Sequence, residues 1–150
     1  SVNFSEIFEK LFPGGVGSLQ LTNKENLLDS GIEISAQPRG KKVKKLSLLS
    51  GGERSLAAIA FLFAIFKSFP SPFYILDEVE AALDDANLHR MIDLLDYLKN
   101  DAQFIIVTHQ QQTMQAGDIL YGVTMEPGSG SRIFIKTKQD FESLITNDMN

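Results

Sequence analysis

Hydrophobic residues recur at helical spacing in three segments of the chain. In residues 1–12 they fall at intervals of three and four, which predicts an amphipathic helix that ends at the turn-forming residues 13–15. Residues 52–66 are apolar on nearly every side, as in a buried helix, and the prolines within residues 70–72 break this segment. A third helix is predicted at residues 86–98, with one apolar side formed by Leu88, Met91, Ile92, Leu95 and Leu98.

Shorter apolar stretches between these segments predict strands. Residues 73–76 and 104–107 are continuous apolar runs, typical of parallel strands that are covered on both faces. Further short strands are predicted at residues 18–21, 32–36, 121–125 and 132–135. The alternation of helices with buried strands predicts a layered α/β domain with a parallel core, in which ligands bind at the carboxyl ends of the strands.

Composition limits the classes of protein to which the chain can belong. Its 150 residues suffice for one domain with a real core, and a hydrophobic fraction of 43% excludes a disordered chain. The longest apolar run, residues 56–66, is too short for a membrane span, and no secretory leader is recognised. The absence of cysteine fits a reducing cytoplasm, and the net charge of −5 argues against non-specific DNA binding by the chain as a whole.

A glycine-rich turn precedes the second predicted helix. Ser50, Gly51 and Gly52 stand where backbone N–H groups and the helix N-terminus can hold a phosphate. Ser50 can serve either as the helix N-cap or as a donor to a phosphate oxygen, and a cap alone would explain the motif. Gly14, Gly15 and nearby Gly17 are interpreted as a turn, because no Lys-Ser/Thr follows them.

Two adjacent acids end the apolar run at residues 73–76. Burial next to such a run makes two carboxylates costly, and a divalent cation relieves this cost. Asp77 is therefore a candidate Mg²⁺ ligand and Glu78 a candidate for orienting an attacking water, whereas the alternative is that both turn outward into solvent. His109 follows the next buried strand, where an imidazole can donate to a phosphate or simply end the strand.

Two further charged clusters allow two interpretations each. Asp84 or Asp85 either caps the helix that begins near residue 86 or has a catalytic role. Four lysines near the turn at residues 38–40 either contact a nucleic-acid backbone or belong to a solvated hairpin loop; they are Lys41, Lys42, Lys44 and Lys45.

Taken together, these motifs resemble those of an ABC-type ATPase. The signature loop corresponds to residues 49–53, the Walker B strand to residues 73–78, the D-loop to residues 82–85 and the switch histidine to His109. Within that superfamily the chain resembles the C-terminal head segment of a bacterial SMC (structural maintenance of chromosomes) protein. The similarity is carried by the strings at residues 46–54, 72–87, 103–109 and 116–125.

The resemblance implies a fold, an activity and a set of site residues. Residues 1–12 would end a returning coiled-coil helix, and residues 13–150 would form the C-terminal lobe of the head, with a mainly parallel central sheet flanked by helices and with antiparallel edge strands. Catalytic roles fall to Glu78 and His109, and Asp77 would hold Mg²⁺ through water. ATP bound by the opposite head would be contacted in trans by Leu49, Ser50, Gly51, Gly52 and Glu53, whereas the dimer contact would involve Leu83, Asp84 and Asp85.

The resemblance also implies partners. These are an N-terminal lobe of the same protein, which carries the P-loop, a second head that dimerises in the presence of ATP, a kleisin subunit and DNA. The lysine cluster is a candidate contributor to DNA binding. The expected reaction is Mg²⁺-dependent hydrolysis of ATP, coupled to chromosome condensation and segregation by a cytoplasmic, nucleoid-associated protein. The sequence itself contains no G-x-x-x-x-G-K-[ST] loop, so the chain by itself is expected to be inactive.

Three rivals differ from this interpretation. A transporter nucleotide-binding domain usually has Gln at the position of Glu53 and Pro at that of Val79, and it carries its own P-loop. A DNA-repair ABC ATPase head is closer, but the string at residues 80–84 favours a bacterial SMC protein. A non-catalytic kleisin-binding module is the third alternative for the isolated chain.

Overall fold

The computed structural model describes residues 1–40, 44–126, 128–138 and 140. The chain divides into two compact units, Ser1–Val107 and Thr108–Asn150, and each is considered separately. Among the described residues, no helix has the length and apolar character that crossing a membrane requires.

Three helices organise the first unit, and all three were predicted. Helix α1 spans Val2–Leu11, α2 spans Gly51–Ser68 and α3 spans Asp85–Leu98. The first ends at the proline-glycine turn, and α2 ends just before the prolines at positions 70 and 72, which cannot continue its hydrogen bonding. The apolar periodicity therefore fixed the helix bounds to within a few residues.

The strands of the first unit form two small sheets. Strands β1 (Val16–Leu21), β2 (Ile32–Gln37) and β3 (Lys44–Lys45) are antiparallel in the order β1-β2-β3, and a 3₁₀ turn, Leu46–Leu48, follows β3. Strands β4 (Phe73–Asp77) and β5 (Gln103–Val107) are parallel, with Asp77 opposite Val107 at their carboxyl ends. This confirms the predicted parallel pair and the position of Asp77 at its carboxyl end.

The hydrophobic core lies around α2. Phe4 of α1 contacts Phe61 of α2 edge-on, with ring centroids 6.4 Å apart. On another side of α2, Phe63 lies 6.0 Å from Phe104 of β5, and Phe66 stacks on Tyr74 of β4 at 4.0 Å. Aromatic rings therefore hold α2 between α1 and the parallel sheet.

The parallel pair is covered on one face, so the prediction of strands buried on both faces is wrong for this chain. Leu76 is buried and Tyr74, Phe104 and Ile106 pack against the core, but the alternate side chains face outward. The exposed fractions on that open face are 51% for Phe73, 63% for Ile75, 46% for Ile105 and 52% for Val107. The apolar runs are present as predicted, but the described residues supply no cover for their second face.

The second unit begins with helix α4 (Gln111–Ala116), followed by strands β6 (Ile119–Glu126) and β7 (Ser129–Thr137). The two strands pair antiparallel, with a register shift at the Met125–Glu126 step. This confirms the predicted terminal strand pair.

Gly17 lies where β1 crosses α1, and an alanine there should destabilise the first unit. A Cβ at this position would stand 2.4 Å from Cγ of Phe8, inside van der Waals contact. Overpacking of this kind costs about 1–3 kcal/mol, so Gly17→Ala should lower the free energy of unfolding by that amount in urea denaturation. Gly31→Ala is the control, since its Cβ would meet Thr22 at an ordinary 3.4 Å; equal losses from both would contradict the packing.

Glu6 of α1 makes the stability of the first unit depend on pH. Its carboxylate accepts hydrogen bonds from Lys67 of α2 at 2.5 Å and from Tyr97 of α3 at 3.3 Å. The bond from Lys67 holds the pKa of Glu6 below its ordinary value of 4.5. The pair therefore stabilises the fold above about pH 4.5, and this contribution is lost as the pH falls through the folded-state pKa.

Glu6→Gln should remove this part of the pH dependence. The pair is partly exposed to solvent, so we expect a loss of roughly 0.2–1 kcal/mol at pH 7 and a smaller loss at pH 3. Urea denaturation at both pH values measures it, with Glu9→Gln on the same helix as the control. A loss that is equal at pH 3 and pH 7 would rule out the ion pair as its cause.

Candidate functional site

The glycine-rich turn forms the N-terminus of α2, and Ser50 caps it. The Ser50 Oγ accepts a hydrogen bond from the Glu53 backbone N–H, and the Glu53 carboxylate accepts one from the Ser50 backbone N–H at 3.1 Å, which makes a capping box. The Ser50 hydroxyl also donates to this carboxylate at 2.9 Å. Ser50 and Gly51 are exposed, so this helix N-terminus can meet an anion from outside.

The remaining predicted contacts in this turn differ in what they can offer a ligand. The Leu49 side chain is buried in the core, so only its backbone is available. Glu53 is half-buried, and its carboxylate already holds the cap. Ser50 and Gly51 are therefore the exposed residues of this turn, and a phosphate would compete with the Glu53 carboxylate for both donors of Ser50.

The acidic pair lies at the end of β4, as predicted, but both residues are exposed. The burial that the apolar run suggested is therefore absent from this chain, and desolvation does not explain the pair. The backbone N–H of Glu78 donates to the Val107 carbonyl at 3.0 Å, which ties the acidic turn to the end of β5.

Glu78 has an unusual backbone conformation. Its φ of +47° is positive, which the structure shows for no other described residue except glycines. Such a conformation costs a non-glycine residue on the order of 1–3 kcal/mol and is concentrated at functional sites. Strain, rather than burial, therefore distinguishes this carboxylate.

The second acidic cluster caps α3. The Asp84 carboxylate accepts a hydrogen bond from the Asn87 backbone N–H at 2.8 Å, and Asp85 is the first residue of the helix. Leu83 packs against the core. The structure thus confirms the capping interpretation for Asp84, and its predicted contact with a second head stays a prediction.

The N-termini of α2 and α3 meet at Gly52. A Cβ on Gly52 would lie 3.2 Å from Nδ2 of Asn87 and 3.6 Å from Oδ2 of Asp84, so the absence of a side chain lets the two helices approach. Sequence reasoning missed Asn87, which is 8% exposed. The sequence did contain one indication of its burial: Asn87 lies one helical turn before Met91 and is therefore a polar residue on the apolar side of α3.

His109 lies in the second unit, two residues beyond the end of β5, and it is exposed. The local turn is held by a hydrogen bond of 3.0 Å from the Gln110 backbone N–H to the Thr108 hydroxyl. Its predicted role stays a prediction.

Only part of the lysine cluster falls within the described structure. Lys41 and Lys42 lie outside the described residues, and Lys44 is described by its backbone in β3. Lys45 pairs with Glu33 of β2, and this hydrogen bond raises the pKa of Lys45. A DNA phosphate would therefore compete with Glu33 for this side chain.

Mg²⁺ fits Asp77 as a shared ligand better than as part of a protein cage. In the part of the chain that the structure describes, no three His, Cys, Asp or Glu side chains are grouped to hold a metal ion. Mg²⁺ in nucleotide sites is typically held by one or two carboxylates together with phosphates and water. An exposed carboxylate at the end of β4 matches that requirement.

Comparisons with known proteins place the chain in a family. Residues 18–131 match the family described as RecF/RecN/SMC N terminal domain. The "Chromosome partition protein Smc" of Mycobacterium leprae is 55% identical over 147 residues, which cover 96% of this chain and 12% of that protein. The chain therefore spans about an eighth of the length of this relative.

Solved structures agree in fold. One, from work on "ATP-driven dimerization and DNA stimulated activation of SMC ATPases", superposes with a TM-score of 0.84 at 41% identity, covering 100% of this chain and 91% of that chain. Another is the Smc head domain of Pyrococcus furiosus with an extended coiled coil, bound to the C-terminal domain of ScpA. It has a TM-score of 0.81 at 42% identity and covers 100% of this chain and 37% of that chain.

Replacement of Asp84 should separate its capping role from its charge. Asp84→Ala removes the acceptor for the Asn87 N–H and should lower the free energy of unfolding by about 1 kcal/mol, whereas Asp84→Asn keeps an acceptor and should stay close to wild type. Urea denaturation of both variants measures this difference. If the asparagine variant loses as much as the alanine variant, the charge rather than the cap stabilises this turn.

Proposed function

The chain belongs to the RecF/RecN/SMC family, and we propose that it is the C-terminal lobe of an SMC ATPase head. In this proposal it joins a P-loop lobe and a second head to hydrolyse ATP to ADP and phosphate. Its SMC-head fold and its similarity to bacterial Smc support this function.

The observation that carries the proposal is the open face of the β4–β5 pair. Four apolar side chains there are about half exposed, and the acidic turn lies at the end of the same sheet. Parallel strands are normally covered on both faces, so this sheet lacks a layer. Because the sequence also contains no P-loop, we assign both missing parts to one N-terminal lobe.

The two capped helix starts support contact with a second head. Ser50 and Gly51 present exposed backbone and hydroxyl groups at the N-terminus of α2, where negative charge is favoured. In our proposal Ser50, Gly51 and Gly52, with the backbone of Leu49 and the capping carboxylate of Glu53, meet the ATP held by the opposite head. The turn of Leu83, Asp84 and Asp85 lies beside Gly52 and forms the neighbouring dimer contact.

The acidic turn supplies the chemistry of the head's own nucleotide. Mg²⁺, when bound with ATP, neutralises phosphate charge, and Asp77 would hold it through water. Glu78 orients the attacking water and accepts its proton, and its backbone conformation sets the direction in which the side chain leaves the chain. His109 is proposed to donate a hydrogen bond to the terminal phosphate.

The remaining partners follow from the relatives. The Pyrococcus head is bound to ScpA, and we propose that a kleisin of this kind binds here too. DNA is the proposed substrate of the assembled complex. Lys45 is a candidate contact, as are Lys41, Lys42 and Lys44, which lie close to it in the sequence. The proposed role is in chromosome condensation and segregation, in a cytoplasmic, nucleoid-associated complex, and the chain alone is expected to show no turnover.

ATP-dependent dimerisation tests the proposal. The chain is co-expressed with its P-loop lobe, and the mass of the complex is measured by light scattering with and without ATP. Glu78→Gln should accumulate a dimer with ATP because hydrolysis no longer releases it, and adding Ser50→Arg should abolish this dimer by blocking the trans contact.

The control for the added charge is Gln20→Arg, at an exposed position of β1, which should leave the dimer of Glu78→Gln intact. A complex of Glu78→Gln that binds ATP but stays monomeric would exclude the two-head site. Hydrolysis of ATP by the purified chain alone would contradict the assignment of the P-loop to another lobe.

A further inference from the structure

A buried asparagine lies between the start of α2 and the start of α3. Asn87 lies in the first turn of α3, and its backbone N–H is used by the Asp84 cap. Its side chain is buried among residues of the apolar side of the helix, where a neighbouring turn carries Met91. Burial of an amide is costly unless its polar atoms are used.

The partners fix the orientation of the amide. Arg90 donates from Nη1 to Oδ1 of Asn87 at 3.1 Å. Because a guanidinium has donors only, the atom facing it must be the amide oxygen. The NH₂ group therefore points to Gly52, where it stands 3.2 Å from the position that a Cβ would occupy.

This geometry makes the start of α2 and the start of α3 a single packed unit. On one side the Asn87 amide faces the space where a Gly52 side chain would stand, and on the other Asn87 is held through Asp84 and Arg90. A tilt of either helix start would change the distance between Gly52 and this amide.

We propose that Asn87, oriented by Arg90, is a positioning residue that holds the signature turn at Gly52 in a fixed relation to the D-loop turn at Asp84. The inference rests on the proposed function, because both turns serve the second head only in that case. Asn87 does not touch nucleotide in this scheme. It sets the spacing at which the two turns are presented together.

The first test is Asn87→Ala in the head reconstituted with the P-loop lobe, in the Glu78→Gln background. We expect the dissociation constant of the ATP-dependent dimer to rise roughly tenfold, because misplacement of the paired contacts weakens both. The affinity of each head for ATP should be unchanged. Asn100→Ala, at an exposed position just beyond α3, is the control and should match the parent.

A double-variant cycle tests the contact itself. Gly52→Ala places a methyl group against the Asn87 amide, and Asn87→Ser replaces that amide by a shorter side chain. The second change should therefore relieve part of the loss of dimer affinity that the first one causes. The combined rise in the dimer dissociation constant should then be smaller than the product of the two single effects. Multiplicative effects would show that the residues act independently and would overturn the proposal.

Hydrogen exchange separates failure of this inference from failure of the proposed function. In Asn87→Ala, the amides of residues 51–54 should exchange faster although the substitution lies in α3, and Asn87→Asp, which keeps the acceptor for Arg90, should show a smaller effect. Unchanged exchange at residues 51–54 would overturn the positioning role whether or not the heads dimerise. If exchange at residues 51–54 is faster but the heads never dimerise with ATP, the positioning role of Asn87 is supported and the two-head ATP site is contradicted.

Discussion

The packing of α2 between α1 and the parallel sheet is the constraint on which the rest of the first unit depends. Phe61 fixes the helix against α1, and Phe63 fixes it against β5. Since Ser50 caps the same helix, the position of the exposed turn follows from contacts made several turns away in the core. Hydrophobic burial has no directional preference of its own, but here the packing of α2 determines where the polar groups at its N-terminus lie.

Periodicity in the sequence located the three long helices and most of the strands, but it missed β3 and α4 and gave no information on the surroundings of the elements. The three helices could be predicted because each carries its own apolar pattern, and β4 and β5 because their runs are continuous. Whether a run is covered on both faces depends on neighbours that the run does not encode. The sequence therefore predicted that Ile75 is buried, whereas its side chain is exposed in this structure. The proximity of the Asn87 amide to Gly52 was not predictable from the sequence either, because the two residues are 35 positions apart and are brought together by packing.

The site residues show a similar division. The end of β4 and the cap at Asp84 follow from local rules, and the structure has both where the sequence placed them. The conformation of Glu78 does not follow from such rules, because a glutamate has no intrinsic preference for positive φ. Hydrogen bonds on either side hold it, from its own N–H to Val107 and from Ala81 to its carbonyl. Backbone strain is thus a property of the assembled turn and of the strand next to it.

The continuity of α2 has a mechanical consequence. The helix has 18 residues, and beyond its first two glycines it contains neither glycine nor proline, so it lacks the residues at which helices usually bend. At 1.5 Å per residue it is about 27 Å long, and a rigid rod of that length that tilts by about 10° at one end moves by about 5 Å at the other. Its far end is tied to α1 by Glu6 and Lys67. The helix is therefore stiff between its two ends, and a tilt at Ser50 would move the end held by Glu6 instead of being taken up by a bend.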